Sequence, residues 1–273
     1  MIIKKRKILP YILLAVVLTL ISIVYQRMSG PNYPHKFKFM GAKSEYKLKL
    51  EKTATTEKDF ILDFKVPEPA ISCTMYFRRY PGGGDFDTVP MLRTGDELTA
   101  TMPKLPSAGK YEYFVEFKNG AITTAILKEK PMIIRFNDPV PNHILITHVF
   151  FMVLASFFSM MVTLLTIKKH PAYRKYGMMA FVALTAGGLI LGPIVQKYAF
   201  GEYWTGFPFG LDLTDNKTLI TWVAYLIAIL LNWKKDRPYS FLVASILFIL
   251  INIIPHSAFG SELDPNTGQI IQG

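Results

Sequence analysis

Apolar positions along the chain follow two different patterns. In five places they run almost unbroken: Ile8 to Tyr25, Ile144 to Ile167, Gly177 to Val195, Leu219 to Trp233 and Tyr239 to Ile254. Each run approaches the roughly 20 residues that cross about 30 Å of hydrocarbon, and the short fourth run extends as a helix from Thr218. Between residues 30 and 142 the apolar positions instead alternate with polar ones. Tyr46, Leu48 and Leu50 alternate with Lys47, Lys49 and Glu51, and Phe60, Leu62, Phe64 and Val66 with Ile61, Asp63 and Lys65. Ile71 to Phe77 and Tyr111 to Phe117 repeat the period of two.

Turn residues separate these alternating stretches: Pro67-Glu68-Pro69, Pro81 to Asp85, Thr94-Gly95-Asp96, Pro106 to Gly109 and Asn119-Gly120. About seven short strands at that spacing predict an antiparallel β-sandwich. The Pro81 to Asp85 loop, with three successive glycines, predicts a mobile hairpin tip, because no helix with Lys-Ser or Lys-Thr follows to make a phosphate loop. Cys73, the only cysteine, falls on the inward face and reads as a small core hydrophobe; it allows no internal disulfide.

Charge orients the apolar runs. The formal net charge is +11, and eleven of the bases form three clusters: Lys4 to Lys7, then Lys168, Lys169, Arg174 and Lys175, then Lys234, Lys235 and Arg237. Those clusters flank alternate ends of the apolar runs, the positive-inside pattern of a membrane protein rather than a nucleic-acid surface. The reading excludes nucleic acid as a partner and places the N-terminus in the cytoplasm and the C-terminus outside it. Gln26 to Ser29 offers no small-residue cleavage pattern, so the first run reads as an uncleaved signal anchor.

The expected fold is therefore a mixed membrane protein with five transmembrane helices: a transmembrane anchor (residues 1–29), an extracytoplasmic antiparallel β-sandwich (30–142), a four-helix transmembrane bundle (143–257) with an outer loop (198–217), and an extracytoplasmic tail (258–273). Polar residues recur at helical spacing on each bundle span: His148, Met152, Ser156 and Ser159; Thr185, Gly188, Gly192 and Gln196; Thr218, Thr221, Trp222 and Tyr225; Ser245, Asn252 and His256. In lipid such stripes belong inside, since facing polar atoms to hydrocarbon gains nothing. The first run carries only Thr19 and Ser22 and reads as a tether beside the bundle.

The stripes converge on the outer half. His143 starts the second run, His148 lies roughly 7–8 Å deeper at 1.5 Å per residue, and His256 ends the fifth run with Asn252 a turn below. His35 and His170 read as solvated. Above them the connection YAFGEYWTGFPFGLDLTDNKT, Tyr198 to Thr218, carries interfacial aromatics including Trp204 and reads as a lid. Thr214 or Asp215 is expected to cap the helix that follows, and Glu202 and Asp212 to form an ion-pair clasp or site rim with Lys197, Lys217, Glu262 and Asp264.

Three functional readings follow. In one, His148 with His256, or His143 with His256, ligates a b-type haem or other redox cofactor, with Gly188 and Gly192 making room for a flat ring; a variant uses His143, His148 and His256 with Glu202 or Asp212 for zinc or copper. The glycine pair equally fits plain helix packing. In the second, the protein is a non-enzymatic envelope scaffold whose sandwich, residues 30–142, binds a protein partner. The third, a transporter, lacks an evident inverted repeat or mid-membrane charge. Nucleophile elbows, Walker loops, kinase motifs and zinc-protease helices are absent from the sequence.

Two resemblances add to this. LPSAGKYEY, Leu105 to Tyr113, resembles the corner-and-strand phrase of immunoglobulin-like and fibronectin-type-III-like domains, which implies that fold and a tyrosine tying a loop to its strand. LILGPIVQKYAFGEYWTGFPFGLDLTDNKT (Leu189 to Thr218) with IPHSAFGSELD (Ile254 to Asp264) resembles a group of uncharacterised bacterial inner-membrane proteins, implying that location and no particular activity.

Overall fold

A computed structural model describes residues 8–30, 32–42, 44–254, 261–263 and 270–272. The chain divides into two units, Met1–Gly30 with Val140–Gly260, and Pro31–Pro139 with Ser261–Gly273. The first is helical and the second is built of strands.

In the strand unit, β1 (His35–Met40) and β2 (Glu45–Leu50) form a hairpin, and β4 (Phe60–Lys65), β8 (Glu97–Met102) and β7 (Leu92–Thr94) form a three-stranded sheet. The larger sheet runs β3 (Thr53–Thr55), β11 (Met132–Asn137), β9 (Lys110–Asn119), β5 (Ile71–Tyr80) and β6 (Asp87–Pro90), with β10 (Ile122–Ile126) also on β9. β5 and β9 pair along their full length, from Ile71 opposite Asn119 to Tyr80 opposite Lys110. β11 and β10 divide β9's other edge between them. The β3–β11 pair is parallel, so the sheets are not wholly antiparallel as the turn spacing predicts. In the second unit β12 (Ser261–Leu263) and β13 (Ile270–Gln272) also pair antiparallel, where an unstructured tail is expected.

The period of two explains the core. Ile71, Cys73, Met75 and Phe77 of β5 face Tyr111, Tyr113, Val115 and Phe117 of β9, and meet Leu62, Phe64, Leu98 and Met102 from the smaller sheet and Leu48 and Leu50 from the hairpin. Phe39 stacks on Phe117 with ring centroids 4.3 Å apart. Each such side chain contributes about 1.5–3 kcal/mol on burial. The Tyr113 hydroxyl donates to Glu51 O at 2.7 Å, tying β9 to the β2–β3 connection, 62 residues away in sequence, rather than to its own turn. Burial raises the Cys73 thiol and the Tyr113 phenol well above their ordinary ranges, so both keep their protons.

The triple-glycine loop is pinned, contrary to the mobile tip expected. Arg78 donates to Gly84 O at 2.7 Å and lays its guanidinium over the Phe86 ring, whose edge meets Phe114. Phe114 in turn stacks on Tyr76 at 4.7 Å and 5°. Gly84 has φ +101°, a conformation that side chains rarely adopt.

In the helical unit, three helices are long and apolar enough to cross a membrane: α1 (Leu9–Ser29), α2 (Asn142–Ile167) and the span Tyr173–Phe200, with mean hydropathies of 2.1, 2.2 and 2.1. That third span is α3 (Tyr173–Leu184), a π-helical segment (Thr185–Leu191) and α4 (Gly192–Phe200) in succession. α5 (Leu213–Leu231) and the shorter apolar α6 (Pro238–Ile253) complete the unit. α1 is not a loose tether. It packs on α2 and α6, with Ala15 and Thr19 buried, and Gln26 Nε2 donates to Asn252 Oδ1 at 3.2 Å.

The expected stripes face inward. Ser159 and Tyr225 share a hydrogen bond of 2.7 Å, Thr163 and Ser245 one of 2.8 Å, and Trp222 Nε1 donates to Thr185 Oγ1 at 2.9 Å. These bonds satisfy polar groups that lipid would leave unpaired.

Candidate functional site

The sequence-predicted residues separate into three places. The first is the π-helical segment. A Cβ on Gly187 would lie 3.0 Å from both Met152 Sδ and Phe151 Cβ, so the missing side chain is what lets this backbone approach α2. There His148 Nδ1 meets Gly187 O at 2.9 Å; a carbonyl only accepts, so Nδ1 carries the proton. The same carbonyl accepts the Gly192 N–H, the i→i+5 bond that defines the π turn.

Gly188 and Gly192 are not equivalent. A Cβ on Gly188 would sit 2.7 Å from Thr218 Cγ2 of α5, whereas one on Gly192 meets Gly187 O at 3.5 Å and nothing closer. The Gly188 face is thus filled by α5. An interior cavity of about 20 Å³ lies beside it, lined by Met152, Thr218, Lys217, Thr221, Phe248 and Asn252 among others. That is room for about one water, against the several hundred Å³ of a cofactor-sized pocket, roughly 300–1,000 Å³. The described residues therefore do not fit a haem ring at this face. His143 is exposed at the start of α2, and His256 lies outside the described residues. Among the described residues no group of three or more His, Cys, Asp or Glu side chains gathers as metal ligands would.

The second place is the loop from Gly201 to Leu211. Asp212, not Asp215 or Thr214, caps α5: its carboxylate accepts the Thr214 and Asp215 N–H groups at 2.8 and 3.2 Å. Asp215, one turn into the helix, points back. Its Oδ2 accepts Thr205 N at 2.6 Å, Gly206 N at 3.0 Å and Thr205 Oγ1 at 3.3 Å, and Gln196 Nε2 donates to that same hydroxyl at 2.7 Å. Asn216 Oδ1 accepts Phe207 N at 2.8 Å, and Trp204 Nε1 donates to Phe207 O at 3.0 Å. Gly206 is required here, because a Cβ would fall 2.6 Å from Asp215 Cβ. The loop is thereby fixed to the first turn of α5, with Phe207, Phe209 and Leu211 turned outward at 66–80% exposure.

The clasp predicted around this mouth takes another form. Lys197 Nζ donates to Gly201 O and lies over the Tyr203 ring, and Glu202 is exposed. Lys217 is buried and donates to Ile254 O at 2.9 Å, setting a positive charge beside the carbonyls at the end of α6. Glu262 belongs to β12, of which only the strand pairing is described, and Asp264 lies outside the described residues.

The third place is the opposite end of the helical unit, which sequence reasoning used only for orientation. Asn232, 1% exposed, accepts from Tyr173 OH at 3.2 Å and from Arg237 N at 2.8 Å, and donates to Ala228 O and Ser240 Oγ. This joins the α2–α3 and α5–α6 connections, bringing two of the three basic clusters together, with Asp236 4.0 Å from Arg174. His170, expected on the surface, is buried there; its Nδ1 accepts Ala172 N and shapes the turn into α3.

No protein-family model matches this chain, and no curated protein matches it either.

Proposed function

We propose that the protein is a non-enzymatic scaffold of a bacterial inner membrane, holding an immunoglobulin-like β-sandwich outside the cytoplasm to bind an envelope protein partner. The observation that carries this reading is that the chain leaves α1 and enters α2 at one end of the helical unit, the end away from the joined basic loops. Gln26, near the end of α1, bonds Asn252 near the end of α6, while Lys168 to Lys175 and Lys234 to Arg237 lie where α2 and α5 finish. Bases at cytoplasmic helix ends then put the sandwich on the far side, tethered at both of its ends. The tightly filled helical unit, with its water-sized cavity, suits an anchor better than a cofactor site.

The surface best suited to a partner is the outer face of β5 and β9. Tyr76, Arg78 and Phe86 form a rigid patch there, and Tyr and Arg are enriched among residues that dominate binding. Photo-crosslinkers placed at Thr74, Tyr76 and Arg79 in living cells test the reading. A discrete crosslinked species that disappears in Phe86→Ala supports it, and no species from any exposed sandwich position overturns it.

A further inference from the structure

The largest cleft among the described residues is at the basic end of the helical unit, not at the histidine end. It measures about 420 Å³ and is lined by Leu230, Leu231, Trp233, Lys234, Lys235 and Arg237, within the roughly 300–1,000 Å³ of small-ligand sites. Three cations, one indole and two leucines line it, and no acid does. Trp233 is 70% exposed and follows the last turn of α5, at the level where an apolar helix gives way to charge. Asp236, the one acid of these two loops, is directed to Arg174 instead.

We infer that this cleft binds the phosphate-bearing headgroup of an anionic phospholipid. The phosphate lies among Lys234, Lys235 and Arg237, whose ammonium and guanidinium groups suit a phosphate as donors and as charges. The acyl chains run along Leu230 and Leu231, and the Trp233 indole sits at the boundary between them, where amphipathic rings are favoured. The Asn232 network makes this a fixed site rather than a loose basic tail. Asn232 binds both the backbone N–H and the carbonyl of Arg237, so the loop's turn is set from within the helical unit. The inference rests on the helices lying in a bilayer and is independent of what the sandwich binds.

The test uses the full-length protein in detergent, examined by native mass spectrometry with phosphatidylglycerol, with phosphatidylcholine of the same acyl chains, and with inorganic phosphate as competitor. Phosphatidylglycerol is expected to be retained at least about tenfold better, since each base near an anionic headgroup contributes roughly a fivefold preference. The triple variant Lys234→Ala, Lys235→Ala, Arg237→Ala is expected to lose that preference. Lys234→Arg, Lys235→Arg is expected to keep it, and so is a control triple on the sandwich, Lys58→Ala, Lys65→Ala, Lys118→Ala. Equal retention of the two lipids, or a preference that survives the cleft variant, overturns the inference. Displacement of the lipid by millimolar phosphate overturns it too, identifying a free-anion site.

Discussion

Asp215 accepts the backbone N–H of Thr205 at 2.6 Å, reaching ten residues back along the chain, while Asp212 caps the helix on which Asp215 rides. Two carboxylates three residues apart thus hold different things: one starts the helix and the other fastens a loop to it. Replacing Asp215 with Ala leaves two buried N–H groups without their acceptor and costs about 2–4 kcal/mol locally. Asp212→Ala costs only about 1 kcal/mol, the usual worth of a cap. Amide hydrogen exchange in detergent checks the pair. Asp215→Ala should expose Thr205 and Gly206, Asp212→Ala should fray residues 213–216, and Asp215→Asn, keeping one oxygen, should recover part of the protection.

The glycines of the third apolar span predict a graded response to alanine. A Cβ at Gly177 meets the Phe241 ring at 2.4 Å and one at Gly188 meets Thr218 Cγ2 at 2.7 Å, so each substitution overpacks the helices by about 1–3 kcal/mol. Gly192→Ala is expected to leave the melting temperature of the detergent-solubilised protein nearly unchanged. Equal effects at Gly188 and Gly192 would contradict this packing.

The sandwich should lose stability in alkali. Burial raises the Cys73 thiol and the Tyr113 phenol, so the folded state keeps protons that the unfolded chain releases. Stability is fully present below the thiol's ordinary 9.0 and declines as pH climbs above it. Urea midpoints measured at pH 7, 9 and 10 should fall across the last interval, and Cys73→Ala should remove the thiol's share of that fall. Maleimide labelling of native Cys73 should be slow and limited by unfolding.

Tyr113→Phe removes one hydroxyl and strands Glu51 O, at a cost of about 1–2 kcal/mol. The urea midpoint should drop while the steepness of the transition stays the same, because the core around the ring is retained.

Topology reporters fused after Trp204 and after Trp233 should report opposite compartments, with Trp233 in the cytoplasm. The same compartment for both would remove the basis for an outward-facing sandwich.

Much of this was legible because periodicity is a property of single elements. Alternation at Ile71 to Phe77 and Tyr111 to Phe117 marks the two central strands, and unbroken apolar runs mark the helices. What was not legible depended on which element meets which. Asp212, Thr214 and Asp215 all suit a helix start, and only the backbone's turn at residue 212 decides among them. α1 carries almost no polar residue, so nothing signalled that Ala15 and Gln26 pack against other helices. His170 follows two lysines and looked solvated, yet the turn that begins α3 encloses it. The parallel β3–β11 pair joins segments far apart in the chain, beyond the reach of any local pattern.

The π turn at Gly187 carries a consequence for chain length. It takes up one residue more than an ordinary helical turn, so a single deletion between Thr185 and Leu191 would restore regular winding and swing everything downstream by about 100°. Gln196 would then part from Thr205, and the anchored aromatic loop would lose a support although no contacting side chain had changed. Along this stretch a neutral exchange of one apolar residue for another is tolerable, but the number of residues is not free to vary.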